Sequence, residues 1–423
     1  MSLVINSPVW RPFTQHALQP AAYKVKRAEG VWLELEDGRR FLDAISSWWV
    51  ITHGHRRPEI MQAICAQAQM LDQVIFAGFT HEAAETLAQR LVSFISPGLD
   101  RVFYSDSGST SVEVAIKMAL GYWRNRGEQR AQIVALESGY HGDTIGAMSA
   151  GARSVFNAAY APLLFNVERI PFPSAGLEQE TLDALEFVCR RNPAAFIVEP
   201  LIAGAGGMRI YSSALLSEMY KICSKYGVLF IADEVMTGFG RTGTLFACQQ
   251  AGITPDIGCY SKGLTGGALP LSVTMCRHEI FDAHYHSDRS RAFFHSSSFT
   301  ANPIACAAAL ANLDVWENTD AISRMETLCF AQKNQIEKFR KDKRFSNIRS
   351  LGTIAALDLN LKNSDYLSSI SLDLMKFFND KGIVMRPLGA TLYVLPPYCV
   401  SLEELESVYK AIDAAAEVFA DKN

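Results

Sequence analysis

The chain has no stretch near the ~18 consecutive apolar residues that a membrane helix needs. Its amino-terminal MSLVINSPVWRPF lacks a basic region followed by a long apolar one. A cytoplasmic protein with no membrane association is therefore expected. Its nine cysteines include no C-x-x-C and no short Cys/His cluster, so reduced thiols are expected, with neither a zinc site nor a disulfide framework. An excess of one charge is also missing: 40 basic against 44 acidic residues leave a net charge of −4. No basic field attracts a phosphate backbone, which argues against a nucleic-acid partner. Low-complexity linkers and internal repeats are absent as well.

What is present is a chain of 423 residues, 49% of them hydrophobic, enough for a large core and roughly two to three domains. Short apolar runs alternate with helical periodicity: RVFYSD, TSVEVAIKMALGYW, QIVALE, AAFIVEP, LLSEMYKICSKY, GVLFIADEV. That alternation predicts an α/β fold with a mostly parallel central sheet covered by helices. In the first helical run Val112, Ala115, Ile116, Ala119, Leu120 and Trp123 share one face, which predicts packing on the sheet. VWLELEDGRRFLDA predicts two strands joined at Asp37–Gly38. Beyond residue 308, helices flank short strands near TIAALDL and TLYVLPP. The expected organisation is a segment 1–52 contributing to a smaller α+β domain and to the active site, a large domain 53–307, and a carboxyl-terminal part of the small domain, 308–423.

The stretch YGVLFIADEVMTGFGRTG, residues 226–243, carries two competing signals. Gly238, Gly240 and Gly243 spell G-x-G-x-x-G, but a dinucleotide site wants those glycines directly between strand and helix, with an acidic residue ~20 positions on. Here the acids Asp233 and Glu234 come first and no strong helix follows. An acid at the carboxyl end of a buried parallel strand, by contrast, stands where open α/β sheets bind ligands. Lys262, in CYSKGLTGGALPL, ends another apolar stretch among small residues, an unusual place for a solvated lysine.

An aspartate with a buried lysine suggests pyridoxal 5'-phosphate, the lysine bonding the aldehyde and the aspartate holding the pyridine nitrogen protonated. That cofactor needs a phosphate cup. YSDSGSTSVEVAIK supplies one, with Gly108 and Ser109 opening a helix whose free N–H groups and dipole favour an anion. Simple N-capping explains one of those serines but not the whole S-G-S after a strand.

The set DSGSTSVEVAIKMA, GYHGDTIGAMS, IVEPLIAGAGGMRIY, LFIADEVMTGFGRTGTLFA and YSKGLTGGALPLS resembles the class III aminotransferases over nearly the whole chain. Within that family, SSWWVITHGH (46–55) and WRPFTQ (10–15) resemble the branch that converts 8-amino-7-oxononanoate to 7,8-diaminononanoate in biotin biosynthesis, usually with S-adenosylmethionine as amino donor. The resemblance implies a fold type I homodimer with two active sites at the subunit interface. It implies Lys262 as the Schiff-base lysine and proton carrier, Asp233 as the partner of the pyridine nitrogen, Tyr140 stacked on the ring, and Gly108 and Ser109 on the phosphate. Ser298 falls where the family places a hydroxyl that reaches the partner subunit's phosphate. The commoner pattern there is Gly-Pro-Thr, so Ser296–Ser298 departs from it and the loop loses a proline's rigidity.

Arg241 and Arg386 match substrate positions, Arg386 being the expected clamp for a substrate carboxylate, since a guanidinium offers two parallel charge-assisted hydrogen bonds. Trp48 matches the aromatic wall of the substrate site. Phe13 stands where many relatives that use S-adenosylmethionine carry tyrosine, and relatives using L-lysine resemble this W-x-P-F-T pattern. The reaction these matches imply is ping-pong transamination between two small molecules, without a metal. L-Lysine as donor, another ω-amino acid or diamine aminotransferase, and an NAD-dependent oxidoreductase built on the glycines at 238–243 stand as alternatives. His53, His55 and Glu199 have no role assigned by the sequence.

Overall fold

The computed structural model describes residues 3–5, 7–361 and 370–420. Its large sheet is built from β1 (Arg101–Ser105), β2 (Ile133–Leu136), β3 (Glu168–Ile170), β4 (Ala195–Val198), β5 (Leu229–Asp233), β6 (Ile257–Tyr260) and β7 (Ser272–Cys276). The spatial order is β1-β7-β6-β5-β4-β2-β3. Only β7 runs against its neighbours β6 and β1; the other pairings are parallel. Every residue of β2, β4, β5, β6 and β7 is buried, as expected for strands covered on both faces.

Helix α1 (Gly108–Asn125) follows β1 and begins at a reciprocal cap. Ser107 Oγ accepts from Thr110 N, and Thr110 Oγ1 accepts from Ser107 N. Val112, Ala115, Ile116, Ala119 and Trp123 are buried in one cluster with residues of β2, β4, β5 and β6, Leu120 is partly buried beside them, and the helix packs chiefly on β6 and β7. Each of the larger of these side chains contributes about 1.5–3 kcal/mol through removal from water. The short α1–β2 connection then returns the chain to the parallel sheet.

Both chain ends share a second region. Strands Trp32–Leu35 and Arg40–Asp43 form a hairpin around Gly38, whose φ of +86° suits glycine. Strand Ile383–Val384 lies parallel to Arg40–Asp43, pairing Ile383 with Leu42 and Val384 with Asp43. A separate three-stranded sheet joins Phe345–Leu351, Ile354–Leu359 and Thr391–Val394. Helix Leu402–Phe419 buries Leu405, Val408, Ile412 and Ala415 in the same core cluster as Leu42, Leu357 and Leu392. Among the described residues, no helix is long and apolar enough to cross a membrane.

Candidate active site

The carboxyl ends of β1, β4, β5 and β6 point to one edge of the large sheet, and the chain leaving each delivers a functional group there. After β1 come Gly108 and Ser109, after β4 Glu199, at the end of β5 Asp233, and two residues beyond β6 Lys262. They line a cavity of about 200 Å³ together with Phe13, Trp48, Tyr140 and Arg386. Eight of the residues singled out in the sequence, drawn from positions 13 to 386, thus face one space. Trp49, His141, Phe156, Glu199 and Tyr393 line it too.

Lys262 opens a 3₁₀ turn with φ +46°, a left-handed conformation rare for a residue with a side chain. Such strain is held where the surrounding structure over-determines it, commonly at functional positions. Its Nζ lies 4.8 Å from the centre of the Trp49 ring. Burial lowers the Lys262 amine to about 8; Asp233 and Glu199 oppose that shift and Arg241 adds to it.

Asp233 is 4% exposed. Its Oδ2 accepts from His141 Nδ1 at 2.7 Å and its Oδ1 from Val235 N at 3.1 Å. Burial disfavours charge on His141, but the hydrogen bond to Asp233 and that carboxylate's charge outweigh it and raise the imidazole. His141 Nε2 has no hydrogen-bond partner and packs against Gly139, where a Cβ would stand 3.0 Å from it. One strand over, Glu199 accepts from Tyr140 N at 2.9 Å and Gly204 N at 3.0 Å. Burial pushes its carboxyl up to about 7, with His141 opposing and Asp233 adding. The Tyr140 hydroxyl donates to Asp143 Oδ2 at 3.0 Å.

The start of α1 has the shape of an anion cradle. The N–H groups of Gly108 and Ser109 have no preceding helical turn to bond. A Cβ on Gly108 would meet Val235 Cγ1 at 2.6 Å, and one on Gly142 would meet Ser109 Oγ at 2.1 Å. Glycine at both positions leaves the backbone open to close approach. A buried carboxylate, a buried amine of lowered pKa and this cradle fit pyridoxal 5'-phosphate.

The opposite wall is aromatic. Phe13 packs on Trp48 at 5.8 Å and on Phe156 at 5.9 Å between ring centres. Arg386 lies over the Trp48 ring at 5.4 Å and donates from Nη2 to Phe13 O at 2.7 Å.

Two of the expected residues lie elsewhere. Arg241, read from the sequence as a substrate arginine, does not line the cavity. It is 1% exposed and donates to Ile51 O at 2.8 Å and Pro396 O at 3.1 Å, beneath the Tyr398 ring. Its guanidinium ties the turn after β5 to loops of the second region, and burial lowers its pKa. Ser298 is exposed and outside the cavity, its carbonyl accepting from Gln73 Nε2 at 3.1 Å. The neighbouring Ser297 Oγ donates to Asp106 Oδ2 at 2.8 Å.

His53 packs edge-on against Trp316 at 4.8 Å, lowered to about 3 mainly by burial, and His55 pairs with Asp43 at 2.9 Å. Both hold loops and neither lines the cavity. Gly240 and Gly243 sit at φ +92° in a turn packed on Trp316, Met325 and Gly352, and the helix that follows, Ala247–Gln250, is four residues long. These glycines serve packing, not a dinucleotide turn. Among the described residues no group of His, Cys, Asp or Glu could hold a metal ion.

The sequence reasoning missed His141 and left Glu199 unassigned. Glu199 was findable: it stands at the carboxyl end of β4, where Val198 pairs with Ala232, so the rule that singled out Asp233 applies one strand over. His141 gave no such signal, because its contact with Asp233 spans 92 residues of sequence.

Comparison with known proteins agrees with this geometry. The aminotransferase class-III family model matches residues 13–416. An adenosylmethionine-8-amino-7-oxononanoate aminotransferase from Synechococcus elongatus is 46% identical over 413 residues, covering 96% of this chain and 97% of that protein. The protein of the same name from Geobacter sulfurreducens is 34% identical, covering 96% and 94%. Among solved structures, the adenosylmethionine-8-amino-7-oxononanoate aminotransferase of Methanocaldococcus jannaschii superposes with a TM-score of 0.93 at 31% identity, over 97% of both chains. A PLP-bound amine transaminase from an uncultivated Pseudomonas species gives 0.91 at 28% identity, over 98% of this chain and 99% of that one. With a buried lysine and aspartate at the strand ends and a family match over nearly its whole length, the chain belongs to the class III aminotransferases.

Proposed function

We propose that this chain transfers an amino group to 8-amino-7-oxononanoate, giving 7,8-diaminononanoate for biotin biosynthesis, with pyridoxal 5'-phosphate as cofactor and S-adenosylmethionine as donor. The observation that carries the reading is the arrangement of Lys262, Asp233 and the α1 cradle opposite an aromatic wall ending in Arg386. Relatives bearing the name of that reaction, at up to 46% identity, support it.

When bound, the cofactor supplies a carbonyl that takes up an amine and a ring that accepts the electrons left when a Cα–H bond breaks. Asp233, steadied by His141, would hold a proton on the ring nitrogen. The N–H groups of Gly108 and Ser109 hold the phosphate. Lys262 Nζ, brought down to about 8, can give and take a proton near neutral pH, as a general acid–base on the substrate carbon must. Tyr140, Trp48 and Phe13 exclude water and accommodate an apolar chain. Arg386, oriented by Phe13 O and the Trp48 ring, binds the carboxylate at the chain's far end.

A shared dimeric site belongs to the same reading, with Ser298 offering its hydroxyl to the partner subunit's phosphate. The exposed rings of Phe294 and Phe299, 70% and 62% accessible on either side of it, support burial against a second copy. A specific observation favours L-lysine as the alternative donor: Phe13 leaves the cavity without the hydroxyl a tyrosine would bring.

The test is to add S-adenosylmethionine and L-lysine separately to cofactor-loaded protein and follow the cofactor's absorption band. 8-Amino-7-oxononanoate is then added and 7,8-diaminononanoate sought by mass spectrometry. Loss of the band with one donor and product formation support the reading. No product with either donor sinks it.

A further inference from the structure

The short segment that carries Trp48 and Trp49 into the cavity has a costly backbone. Ser46, Ser47 and Trp49 have φ of +53°, +59° and +64°. Ser47 combines its φ with a ψ of −100°, outside the left-handed region open to residues with a side chain and suited to glycine. Strain of this kind persists only where the surroundings over-determine the backbone. Here they do so through Asp43, a fully buried carboxylate that the transamination chemistry does not use. Its Oδ1 accepts from Ser47 N at 2.8 Å and Ile45 N at 3.3 Å. Its Oδ2 accepts from Ser47 Oγ at 3.0 Å and pairs with His55 Nε2 at 2.9 Å. Two further bonds fasten the segment to the carboxyl-terminal part of the chain: Ser46 Oγ donates to Leu395 O at 2.7 Å, and Trp49 Nε1 to the Tyr393 hydroxyl at 3.1 Å.

The held segment forms part of the cavity wall. The Arg386 guanidinium lies over the Trp48 ring at 5.4 Å, and Trp49 presents its ring to Lys262 Nζ at 4.8 Å. Asp43 reaches Arg386 by a second route as well, because its backbone pairs with Val384, two residues before that arginine. One strand end thus sets both the Trp48 ring and the guanidinium above it. We infer that Asp43, braced by His55, is the positioning residue of the aromatic wall: it locks the 46–49 segment so that Trp48 and Arg386 meet the acceptor in one fixed geometry. The inference rests on the aminotransferase reading above and adds to it a residue outside the cavity. A wall ordered before the ligand arrives spares the ligand the entropy of ordering it, so the effect falls on acceptor binding. Trp49 keeps its own bond to Tyr393, so the surroundings of Lys262 depend less on Asp43.

Ser47→Gly separates positioning from stability. Glycine accepts the observed φ and ψ without strain, but the hydroxyl bond to Asp43 is lost and the backbone gains other conformations. The melting temperature should hold or rise, while KM for 8-amino-7-oxononanoate rises about fivefold, the scale of one hydrogen bond, and kcat falls less than about twofold. A mere loss of folded protein would lower kcat and leave KM alone. Asp43→Ala removes all four contacts and should raise KM about tenfold or more. Asp43→Asn should recover most of that loss, since its oxygen can accept from Ser47 N while its amide donates to Ser47 Oγ. In cofactor-free protein, hydrogen exchange read by mass spectrometry on peptides covering 43–55 should be about tenfold faster in Asp43→Ala and also faster in Ser47→Gly. An unchanged KM in Ser47→Gly, or an Asp43→Asn no better than Asp43→Ala, overturns the inference. If Asp43→Ala does not fold, Ser47→Gly decides alone. If the unaltered protein makes no product with either donor, the functional reading fails, and the exchange rates still show whether Asp43 holds the segment.

Discussion

His141 Nδ1 stands 2.7 Å from Asp233 Oδ2 with both side chains out of solvent, so the cavity's central carboxylate is steadied by an imidazole from the neighbouring loop. Removing one member of such a buried pair leaves the other uncompensated, a loss on the order of 3 kcal/mol. His141→Ala should therefore lower the melting temperature measurably. The pH dependence has a definite sign. The folded imidazole is raised above its unfolded value of about 6.5, so its stabilisation is complete below that pH and is lost as pH rises through the folded value. Scanning calorimetry of the two proteins should show a gap in stability widest below pH ~6.5 and narrowing above it, leaving only the packing contribution.

Lys262 should react as an amine of lowered pKa. In cofactor-free protein, acylation of Lys262 followed by mass spectrometry should rise with pH through a midpoint near 8, because the neutral amine is the nucleophile. Exposed lysines titrate near ~10.4 and serve as internal controls. A Lys262 midpoint matching theirs would contradict the burial seen here.

The two arginines should separate cleanly. Arg386→Lys keeps the charge but loses the fork, and should raise KM for the carboxylate acceptor about tenfold with little change in melting temperature. Arg241→Met removes two buried hydrogen bonds to carbonyls, and should cost on the order of 3 kcal/mol of stability while leaving the acceptor KM of the remaining folded enzyme near normal. Equilibrium denaturation and steady-state kinetics on both variants decide it.

Much of this arrangement was legible in the chain. Asp233 and Lys262 could be placed because buried strands announce themselves as apolar runs and ligands gather at their carboxyl ends. Phe13, Trp48 and Arg386 needed the family resemblance, since nothing local tells a loop aromatic or arginine which cavity it lines. Arg241 shows the limit of that transfer. Its motif matched, but the side chain is spent on Ile51 and Pro396, residues 190 and 155 positions away, and such contacts leave no trace in local sequence.

Phe13→Tyr tests the donor. The ring borders Trp48 and Phe156 at the cavity wall, so an added hydroxyl enters the site without repacking the core. It should raise kcat/KM for S-adenosylmethionine a few-fold, about the worth of one hydrogen bond, and leave thermal stability unchanged. A fall with that donor alone would favour L-lysine.

Sedimentation should give twice the chain mass of 46.7 kDa. Ser298→Ala should then weaken retention of the cofactor during dialysis without shifting that mass. A monomer would remove Ser298 from the site.

The pairing of Ile383–Val384 with Arg40–Asp43 also bears on how the protein comes into being. Arg386 follows that late strand and meets Phe13 from the opposite end of the chain, so the Arg386 wall of the cavity is closed only when both ends come together. The Lys262 and Asp233 wall, by contrast, is carried by the large sheet, so the two sides of one cavity are drawn from separate stretches of the chain and depend on their docking.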